Sequence, residues 1–291
     1  MSASNRRIWV IIPVYGNWED TTQCLTALES QSVRDFQVMI ADDGSPTPPP
    51  AEIQNSKLAR YLKGEHAGYG ANCNRAAREA IALGATHLLF LNSDTTFGAA
   101  FMEGWIKRAA EIPDSILSPL IYWSRHPTRI WSSGGKRTVF RPFVRSRTCF
   151  REVTEVDTVT GCAILVPAGV WTALAGFDPR YAMYFEDFDF TLRAKSKGIR
   201  TYIVPDRELR VMHHVSGSFR GAGAWSKHYL MLTSSLIFIR SHYRGAGKAV
   251  CFALAASHLV WTALLSLPEL PKGRMLWRAV VGGFSARSKT D

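Results

Sequence analysis

Three apolar runs constrain the fold of this 291-residue chain more than any other feature of its sequence. They occupy residues 8–15, 36–41 and 87–91, and helical patterns at residues 18–31 and 73–83 separate them. A run without polar alternation is typical of a strand that is buried on both faces. Because helices alternate with such strands, we predict an α/β, Rossmann-like fold, with a mostly parallel sheet and helices on both faces.

A polar cluster follows each of these three strands. The clusters lie at residues 15–17, 42–45 and 92–94. In an open parallel sheet, ligands bind beyond the carboxyl ends of the strands. The three clusters therefore predict one shared binding site at that edge of the sheet.

A glycine-bearing loop at residues 66–72 follows a third short strand, predicted at residues 61–63, and precedes the second helix. The free N–H groups at a helix N-terminus suit a diphosphate or a ribose. A structural turn explains the same glycines nearly as well, so both interpretations stand.

Three carboxylates, Glu186, Asp187 and Asp189, lie among aromatic residues farther along the chain. An apolar surround makes ionisation costly, which is how proteins tune a carboxylate for proton transfer. The helical spacing of residues 187–197 puts these acids at a helix N-terminus, where the helix dipole favours their charged form. A helix start that is merely capped by acids is the alternative.

Arginines are frequent between residues 118 and 158, where the pattern predicts an irregular hairpin region covering the mouth of the site. Their guanidinium groups suit a phosphate, but a solvated strand face explains the pattern about as well. The arginines with nearly alternating spacing are Arg137, Arg141, Arg145, Arg147 and Arg151.

After this region, a buried strand is predicted at residues 159–166 and a short helix, with a proline at its start, at residues 167–175.

The C-terminal part of the chain differs from the rest in charge and hydropathy. Residues 1–192 carry 19 Lys and Arg against 20 Asp and Glu, whereas residues 193–291 carry 16 against 4. A helical pattern at residues 225–243 precedes an apolar run at residues 249–267, near the shortest length that spans a membrane. Because basic residues flank this run, we favour a helix lying on an anionic leaflet over a membrane span or a packed helix.

Composition excludes several other classes of protein. Five scattered cysteines without metal-ligand spacing indicate reduced thiols in the cytoplasm rather than disulfides or a zinc site. The N-terminal apolar run is too short for a signal peptide, so we predict no export. The net charge of +11 suits a nucleic-acid binder, but the sequence has no motif of such a protein, and we expect no nucleic-acid partner.

Seven motifs follow one another along the chain: VIIPVYG (10–16), ADDGS (41–45), GYGANCN (68–74), LFLNSDT (89–95), TGCAILV (160–166), GFDPRYAMYFEDFDFTLR (176–193) and VMHHVSGS (211–218). In this order they resemble those of the family 2 glycosyltransferases, and more narrowly the bacterial rhamnosyltransferase-like members of surface-polysaccharide pathways. The resemblance covers residues 10–218 and implies a GT-A fold. We predict a catalytic domain at residues 1–220 and a C-terminal basic, apolar helical region, associated with the membrane, at residues 221–291.

The resemblance implies a nucleotide-sugar site and a divalent metal, Mg²⁺ or Mn²⁺. Asp94 is the implied metal ligand and His213 the histidine that completes the shell, although Asn92 replaces the first acid of the usual metal-binding motif. Asp94 as the cap of a helix beginning near Phe97, and a structural His213, are the alternatives. The residues implied to bind the nucleotide sugar are Pro13, Tyr15, Asp42, Asp43, Gly68, Gly70, Asn74, Asn92 and Ser93. For the two aspartates, an Asx turn is the alternative.

For catalysis, the resemblance implies an inverting transfer in which an acid of the Glu-Asp motif is the base. We favour Asp187 over Glu186 and expect Asp189 to cap or pair within the helix. The donor is expected to be linked to dTDP or UDP, with rhamnose or another hexose, and the acceptor to be a lipid-linked glycan. The protein is then expected in the cytoplasm, bound to the inner face of the plasma membrane. A non-catalytic sugar-nucleotide-binding protein of the same fold is the alternative.

Overall fold

The computed structural model describes residues 7–138, 148–214, 224–265 and 278. Several predictions from sequence fall elsewhere. Arg141, Arg145 and Arg147 of the predicted hairpin, Ser218 of the last motif, the predicted domain boundary after residue 220 and residues 266–267 of the apolar run lie outside the described residues.

Strands and helices alternate through the first half of the chain, as predicted. The strands are β1 (Ile8–Val14), β2 (Phe36–Asp42), β3 (Ala59–Lys63), β4 (His87–Leu91), β5 (Thr95–Phe97), β6 (Ile116–Pro119), β7 (Ile121–Trp123), β8 (His126–Ser132), β9 (Thr154–Val156), β10 (Ala163–Pro167), β11 (Thr201–Val204) and β12 (Val211–His213). The helices are α1 (Trp18–Glu29), α2 (Ala51–Gln54), α3 (Tyr69–Ala82), α4 (Phe101–Glu111), α5 (Ala168–Ala173), α6 (Glu186–Ser196), α7 (Ala224–His242) and α8 (Gly245–Leu265).

The central sheet has the strand order β3-β2-β1-β4-β10-β6-β11-β9. The strands β3, β2, β1 and β4 are parallel, β10 is antiparallel to both of its neighbours, and β11 is parallel to β6. The predicted α/β class with a mostly parallel sheet is therefore confirmed. The carboxyl ends of β1, β2 and β4 meet at one edge, which brings their polar clusters together.

Helices cover both faces of this sheet because the side chains of β1 alternate between two cores. Ile8, Val10 and Ile12 pack with side chains of α1 and α4 on one face. Trp9 and Ile11 pack with side chains of α3, α5 and α6 on the other. The uninterrupted apolar character of this strand follows from burial on both sides.

A second sheet, with the order β5-β12-β7-β8, joins two distant parts of the chain at the site. Its strands β5 and β12 pair antiparallel, with His213 opposite Thr95. The chain therefore continues from Asp94 into a strand, and the predicted alternative of a helix beginning near Phe97 is wrong, because backbone pairing with β12 holds residues 95–97 extended.

Helix α3 and strand β10 begin well away from their predicted first residues, 73 and 159. Helix α3 begins at Tyr69 because Gly68, with φ of +93°, is its N-cap, so the glycine motif forms the first turn. Strand β10 begins at Ala163 rather than at residue 159. The preceding residues hydrogen-bond elsewhere: the N–H of Gly161 donates to the side chain of Asp187, and the carbonyl of Cys162 accepts from the N–H of Asn92.

The two C-terminal helices have different surroundings. Helix α7 packs on α6 in a buried cluster to which Phe185, Leu192 and Phe238 contribute. Helix α8 packs one face against α7 but leaves Val250 and Leu254 exposed on another. Within residues 7–138, 148–214 and 224–265, no helix has both the length and the hydropathy that crossing a membrane requires.

Candidate active site

The loops after β1, β2 and β4 form the floor of the candidate site together with the segment before β10. The N–H of Asp43 donates to the carbonyl of Val14 at 2.9 Å, and the N–H of Asn92 donates to the carbonyl of Cys162 at 2.9 Å. These bonds tie the strand ends to one another. The polar clusters that the sequence placed at this edge are therefore parts of one surface.

Asp94 and His213 are brought together by the pairing of β5 with β12. Their Oδ1 and Nε2 atoms are 3.1 Å apart, and both side chains are largely buried. The neighbouring histidine has a different role, because the N–H of His214 donates to the carbonyl of Asp94 and its ring lies 3.3 Å from the hydroxyl of Thr96. Of the two histidines, His213 alone faces the acid.

The Asp94–His213 pair fits a divalent cation that is shared with a ligand. A carboxylate suits Mg²⁺ or Mn²⁺, and an imidazole nitrogen is a common partner in such sites. The Nδ1 atom of His213 is buried without a hydrogen-bond partner among the described residues, so the ring is not committed to a structural bond at that nitrogen. Among the residues that the structure describes, no group of three or more His, Cys, Asp or Glu side chains could hold a metal ion. A cation here would thus need further ligands from a phosphate or water.

Asp187 is a half-buried carboxylate held by two backbone N–H groups. Its Oδ2 accepts from Gly161 at 2.8 Å, and its Oδ1 accepts from Phe188 at 2.7 Å. The first of these bonds crosses from α6 to the segment before β10. It fixes the direction of the carboxylate at the candidate site, where the side chain is partly exposed.

Glu186, by contrast, is buried and only 5 % exposed, and its Oε2 has no hydrogen-bond partner in the described structure. Burial raises the pKa of its carboxyl well above the usual range, and the adjacent Asp187 raises it further. A carboxyl with this environment favours its protonated form, which cannot accept a proton. Asp187 is the less buried of the two acids, and its backbone hydrogen bonds hold its carboxylate at the candidate site.

Tyr69 is a site residue that reasoning from sequence missed. Its hydroxyl donates to the carbonyl of Gly161 at 3.1 Å and lies 3.5 Å from Oδ1 of Asn92. Burial raises the pKa of this phenol well above its usual range, and neighbouring thiol and carboxyl groups add to the shift. Tyr69 thus connects the loop after β4 with the residue that holds Asp187. Its position between two glycines at the start of α3 is the sequence signal that could have identified it.

The carboxylates of Asp42 and Asp43 are both occupied by protein groups. Asp42 accepts bonds from the N–H and hydroxyl of Ser45 and from the hydroxyl of Tyr61. Asp43 accepts from the N–H groups of residues 67 and 68 at 2.9 and 3.0 Å, and its Oδ2 lies 2.9 Å from Nδ1 of His66. Asp42 thus holds the turn after β2 through the N–H of the residue three positions on, and Asp43 shapes the glycine loop. Their predicted contacts with a nucleotide stay predictions.

The glycine loop packs closely against the segment that carries the Glu-Asp motif. A Cβ atom on Gly68 would lie 2.5 Å from the carbonyl oxygen of Ala182, and one on Gly70 would lie 3.8 Å from Cβ of Glu186. Asn74 uses both ends of its amide on the backbone of Phe177, at 2.8 Å each. In this conformation Asn74 therefore holds the segment in place, and its predicted contact with the donor stays a prediction.

An aromatic pair lies at the open end of the site. The ring of Tyr15, which is 42 % exposed, stacks on His66 with 4.4 Å between ring centroids. Pro13 lies half-buried in β1, and Asn92 and Ser93 lie half-buried in the turn after β4. Sequence reasoning did not select His66, whose contacts with Tyr15 and Asp43 arise only from the fold.

The mostly parallel sheet, with acidic residues and a histidine at its carboxyl edge, agrees with the GT-A fold of glycosyltransferases. The model of the glycosyl transferase family 2 matches residues 9–167, and the chain belongs to this family.

The relatives agree with this assignment. The chain is 27% identical over 267 residues to N-acetylglucosaminyl-diphospho-decaprenol L-rhamnosyltransferase of Mycobacterium tuberculosis. The match covers 82% of this chain and 86% of the relative. Among solved structures, the mannosyltransferase PcManGT from Pyrobaculum calidifontis in complex with GDP-Man and Mn²⁺ matches with a TM-score of 0.57, 14% identity and coverage of 99% and 90%. GalNAc-T7 with UDP, GalNAc and Mn²⁺ matches with a TM-score of 0.58 and 13% identity, over 77% of this chain and 48% of that protein. These two structural matches support the fold.

Proposed function

We propose that this glycosyltransferase moves a sugar, with inversion, from a nucleotide-sugar donor to a hydroxyl of a lipid-linked glycan. The observation that carries the proposal is the position of Asp187. Its half-buried carboxylate is aimed by the Gly161 N–H at the same sheet edge to which Asp94 and His213 belong. A base on one side of the site and a place for a diphosphate on the other is what such a transfer requires.

In the proposed reaction, Asp187 takes the proton of the acceptor hydroxyl as its oxygen bonds to the anomeric carbon of the donor. The bond from that carbon to the diphosphate breaks at the opposite face, and the nucleoside diphosphate leaves with the electron pair. Glu186, which favours its protonated form, adds no second negative charge beside Asp187. Because Asp187 is then the single charge of the pair, a phosphate-bearing donor is repelled less than it would be by two carboxylates.

Asp94 and His213 are the residues that would hold a divalent cation, Mg²⁺ or Mn²⁺. Such a cation, when bound, neutralises charge on the leaving diphosphate. The solved structures of two proteins with the same fold contain Mn²⁺ together with nucleotides, which supports a divalent metal for this chain as well. Because one acid and one imidazole are neighbours here, donor binding is expected to depend on both.

The name of the Mycobacterium tuberculosis relative supports rhamnose as the sugar and N-acetylglucosamine on a polyprenyl diphosphate as the acceptor. The rhamnosyltransferase-like motifs favour a dTDP-linked donor, with a UDP-linked hexose as the alternative. The exposed Val250 and Leu254 of α8, beside the basic residues of this region, suit an enzyme that acts at the cytoplasmic face of the membrane on a lipid-bound acceptor.

A panel of sugar nucleotides tests the transfer. Full-length protein is incubated with dTDP-rhamnose, UDP-hexoses or GDP-mannose, with Mg²⁺ or Mn²⁺, and with polyprenyl-diphosphate-linked N-acetylglucosamine. We expect release of one nucleoside diphosphate and an acceptor extended by one sugar. Tight binding of a donor without turnover on any acceptor would instead favour the non-catalytic sugar-nucleotide-binding protein.

The metal is tested by calorimetric titration of the donor with and without EDTA. Asp94→Ala is expected to abolish the metal-dependent part of donor binding, and His213→Ala to weaken it less. Asp114→Ala, which changes an exposed acid away from the site, is the control and should bind as the wild type does. Unchanged affinity in Asp94→Ala would remove Asp94 from the donor site.

The membrane contact is tested by flotation with anionic liposomes. Val250→Asp combined with Leu254→Asp is expected to reduce flotation, because charge on the exposed face of α8 opposes its burial in the interface. Leu83→Asp, at another exposed leucine, is the control. Equal flotation of both variants would show that α8 does not contact the membrane.

A further inference from the structure

We propose that His242 is a positioning residue of the candidate active site, and that one face of α7 sets the place of the carboxylate of Asp187. The proposal rests on the proposed function, because it concerns the residue assigned there as the base. It makes α7 part of the catalytic apparatus rather than an appendage. Four observations carry it.

The first observation is strain in the turn that leads into α6. Tyr184 and Phe185 have φ angles of +70° and +69°, in the left-handed region that residues with side chains rarely adopt. They directly precede Glu186 and Asp187. Residues in such conformations persist only where their surroundings hold them, and they concentrate at functional sites.

The second observation is that α7 supplies those surroundings. The hydroxyl of Ser234 donates to the carbonyl of Met183 at 2.7 Å, and the ring of Phe238 lies 5.1 Å from that of Phe185. Ser234, Phe238 and His242 are four residues apart and therefore lie along one face of the helix. That face of α7 packs against the strained turn.

The third observation is the buried carboxylate of Asp189, in the first turn of α6. The residue is 1 % exposed. Its Oδ2 lies 2.7 Å from Nε of Arg193, and its Oδ1 lies 2.7 Å from Nε2 of His242. A buried charge is tolerated only when its oxygens are paired. Without His242, one oxygen of Asp189 would lose this bond, and the first turn of α6 would relax toward other partners.

The fourth observation is that Asp187 shares this first turn. Its bond to the N–H of Gly161 spans two segments, so it forms only when α6 begins in the right place. A displacement on the order of 1 Å near a reacting group can reduce turnover about 100-fold. The structure thus links His242, through Asp189, to the placement of the carboxylate of Asp187.

Three variants of the full-length protein test this link. His242→Ala removes the bond to Asp189, and His242→Gln keeps an N–H donor near the position of Nε2. Leu236→Ala is the matched control, because Leu236 is a buried residue of α7 that packs with Leu232 and away from the strained turn. It destabilises the helix without touching Asp189.

The measured quantities are kcat, the KM of the donor, and hydrogen exchange of the peptides that contain Gly161 and residues 184–190. We expect kcat of His242→Ala to fall roughly 10- to 100-fold, with a smaller change in the KM of the donor. Exchange at Gly161 should become faster. His242→Gln should recover most of kcat, and Leu236→Ala should lower the melting temperature with kcat close to that of the wild type.

Wild-type kcat and Gly161 protection in His242→Ala would overturn the proposal, as would an equal loss of kcat in Leu236→Ala. Should His242→Ala fail to fold, Ser234→Ala, which removes the bond to Met183, takes its place with the same expected results. Hydrogen exchange does not depend on any transfer. A wild type that transfers no sugar would refute the proposed function, and exchange at Gly161 would still decide whether α7 positions the turn.

Discussion

Two pairs of adjacent acids lie at the carboxyl edge of the sheet and differ in what their environment permits. Asp42 and Asp43 end a strand, whereas Glu186 and Asp187 begin a helix. The sequence presents both pairs alike, as charged residues at the end of an apolar stretch. The structure gives them opposite environments.

Both carboxylates of the first pair accept hydrogen bonds from other groups of the protein. Asp42 accepts bonds from Ser45 and Tyr61, and Asp43 accepts bonds from the glycine loop and contacts His66. Such carboxylates act as fixed acceptors that hold the backbone in shape. They are therefore expected to contribute mainly to stability and to the form of the donor site.

The carboxyl groups of the second pair, Glu186 and Asp187, differ from those of the first in burial and in hydrogen-bond partners. Glu186 is buried, with an oxygen that has no hydrogen-bond partner in the described part of the chain, and Asp187 is half-buried and accepts hydrogen bonds from two backbone N–H groups. Burial and hydrogen-bond partners, rather than sequence context, therefore distinguish these two pairs of acids.

The largest effect is expected at Asp187. Asp187→Asn keeps the shape of the side chain but cannot take a proton, so turnover should fall roughly 10²- to 10⁴-fold while donor binding persists. Steady-state kinetics and donor titration measure this. If Asp187→Asn turns over normally and Glu186→Gln is inactive, the two acids have been assigned the wrong way round.

A change at Asp43 should affect stability and donor affinity more than turnover. Asp43→Asn replaces one acceptor oxygen by an N–H donor that faces the N–H of Gly68, which should cost about 1–3 kcal/mol of unfolding free energy. The KM of the donor should rise because the glycine loop loosens. Denaturant unfolding and kinetics measure both. A loss of kcat as large as that of Asp187→Asn, at unchanged stability, would place Asp43 among the reacting groups instead.

The smallest effect is expected at Glu186, in the pH dependence of stability. Because burial raises the pKa of this carboxyl above the ordinary 4.5, the folded state binds its proton more tightly than the unfolded chain does. Stability from this group is therefore greatest at low pH and is lost as pH rises from the unfolded pKa through the folded one. Glu186→Gln cannot ionise, so its melting temperature should fall less between pH 5 and pH 8. Parallel curves for the two proteins would mean that Glu186 is not buried as a neutral acid.

Much of the fold could be predicted because its signals are local. Continuous apolar runs predicted the doubly covered strands, and the α/β class and the glycosyltransferase family are confirmed. The boundary errors, at α3 and β10, arose where a glycine conformation or a bond from a distant side chain replaced regular pairing. Local patterns do not contain such bonds.

The sequence by itself determined which residue types follow each strand, and therefore that carboxylates gather at one edge of the sheet. Only the tertiary structure decided how deeply each of them is buried and which groups it contacts. The pairing of β5 with β12 set His213 against Asp94 across more than a hundred residues. The packing of α7 on α6 set one face of that helix against the turn that carries the Glu-Asp motif. The physical reason is that burial and hydrogen-bond partners are properties of contacts between distant segments, and these contacts set the ionisation and direction of each carboxylate.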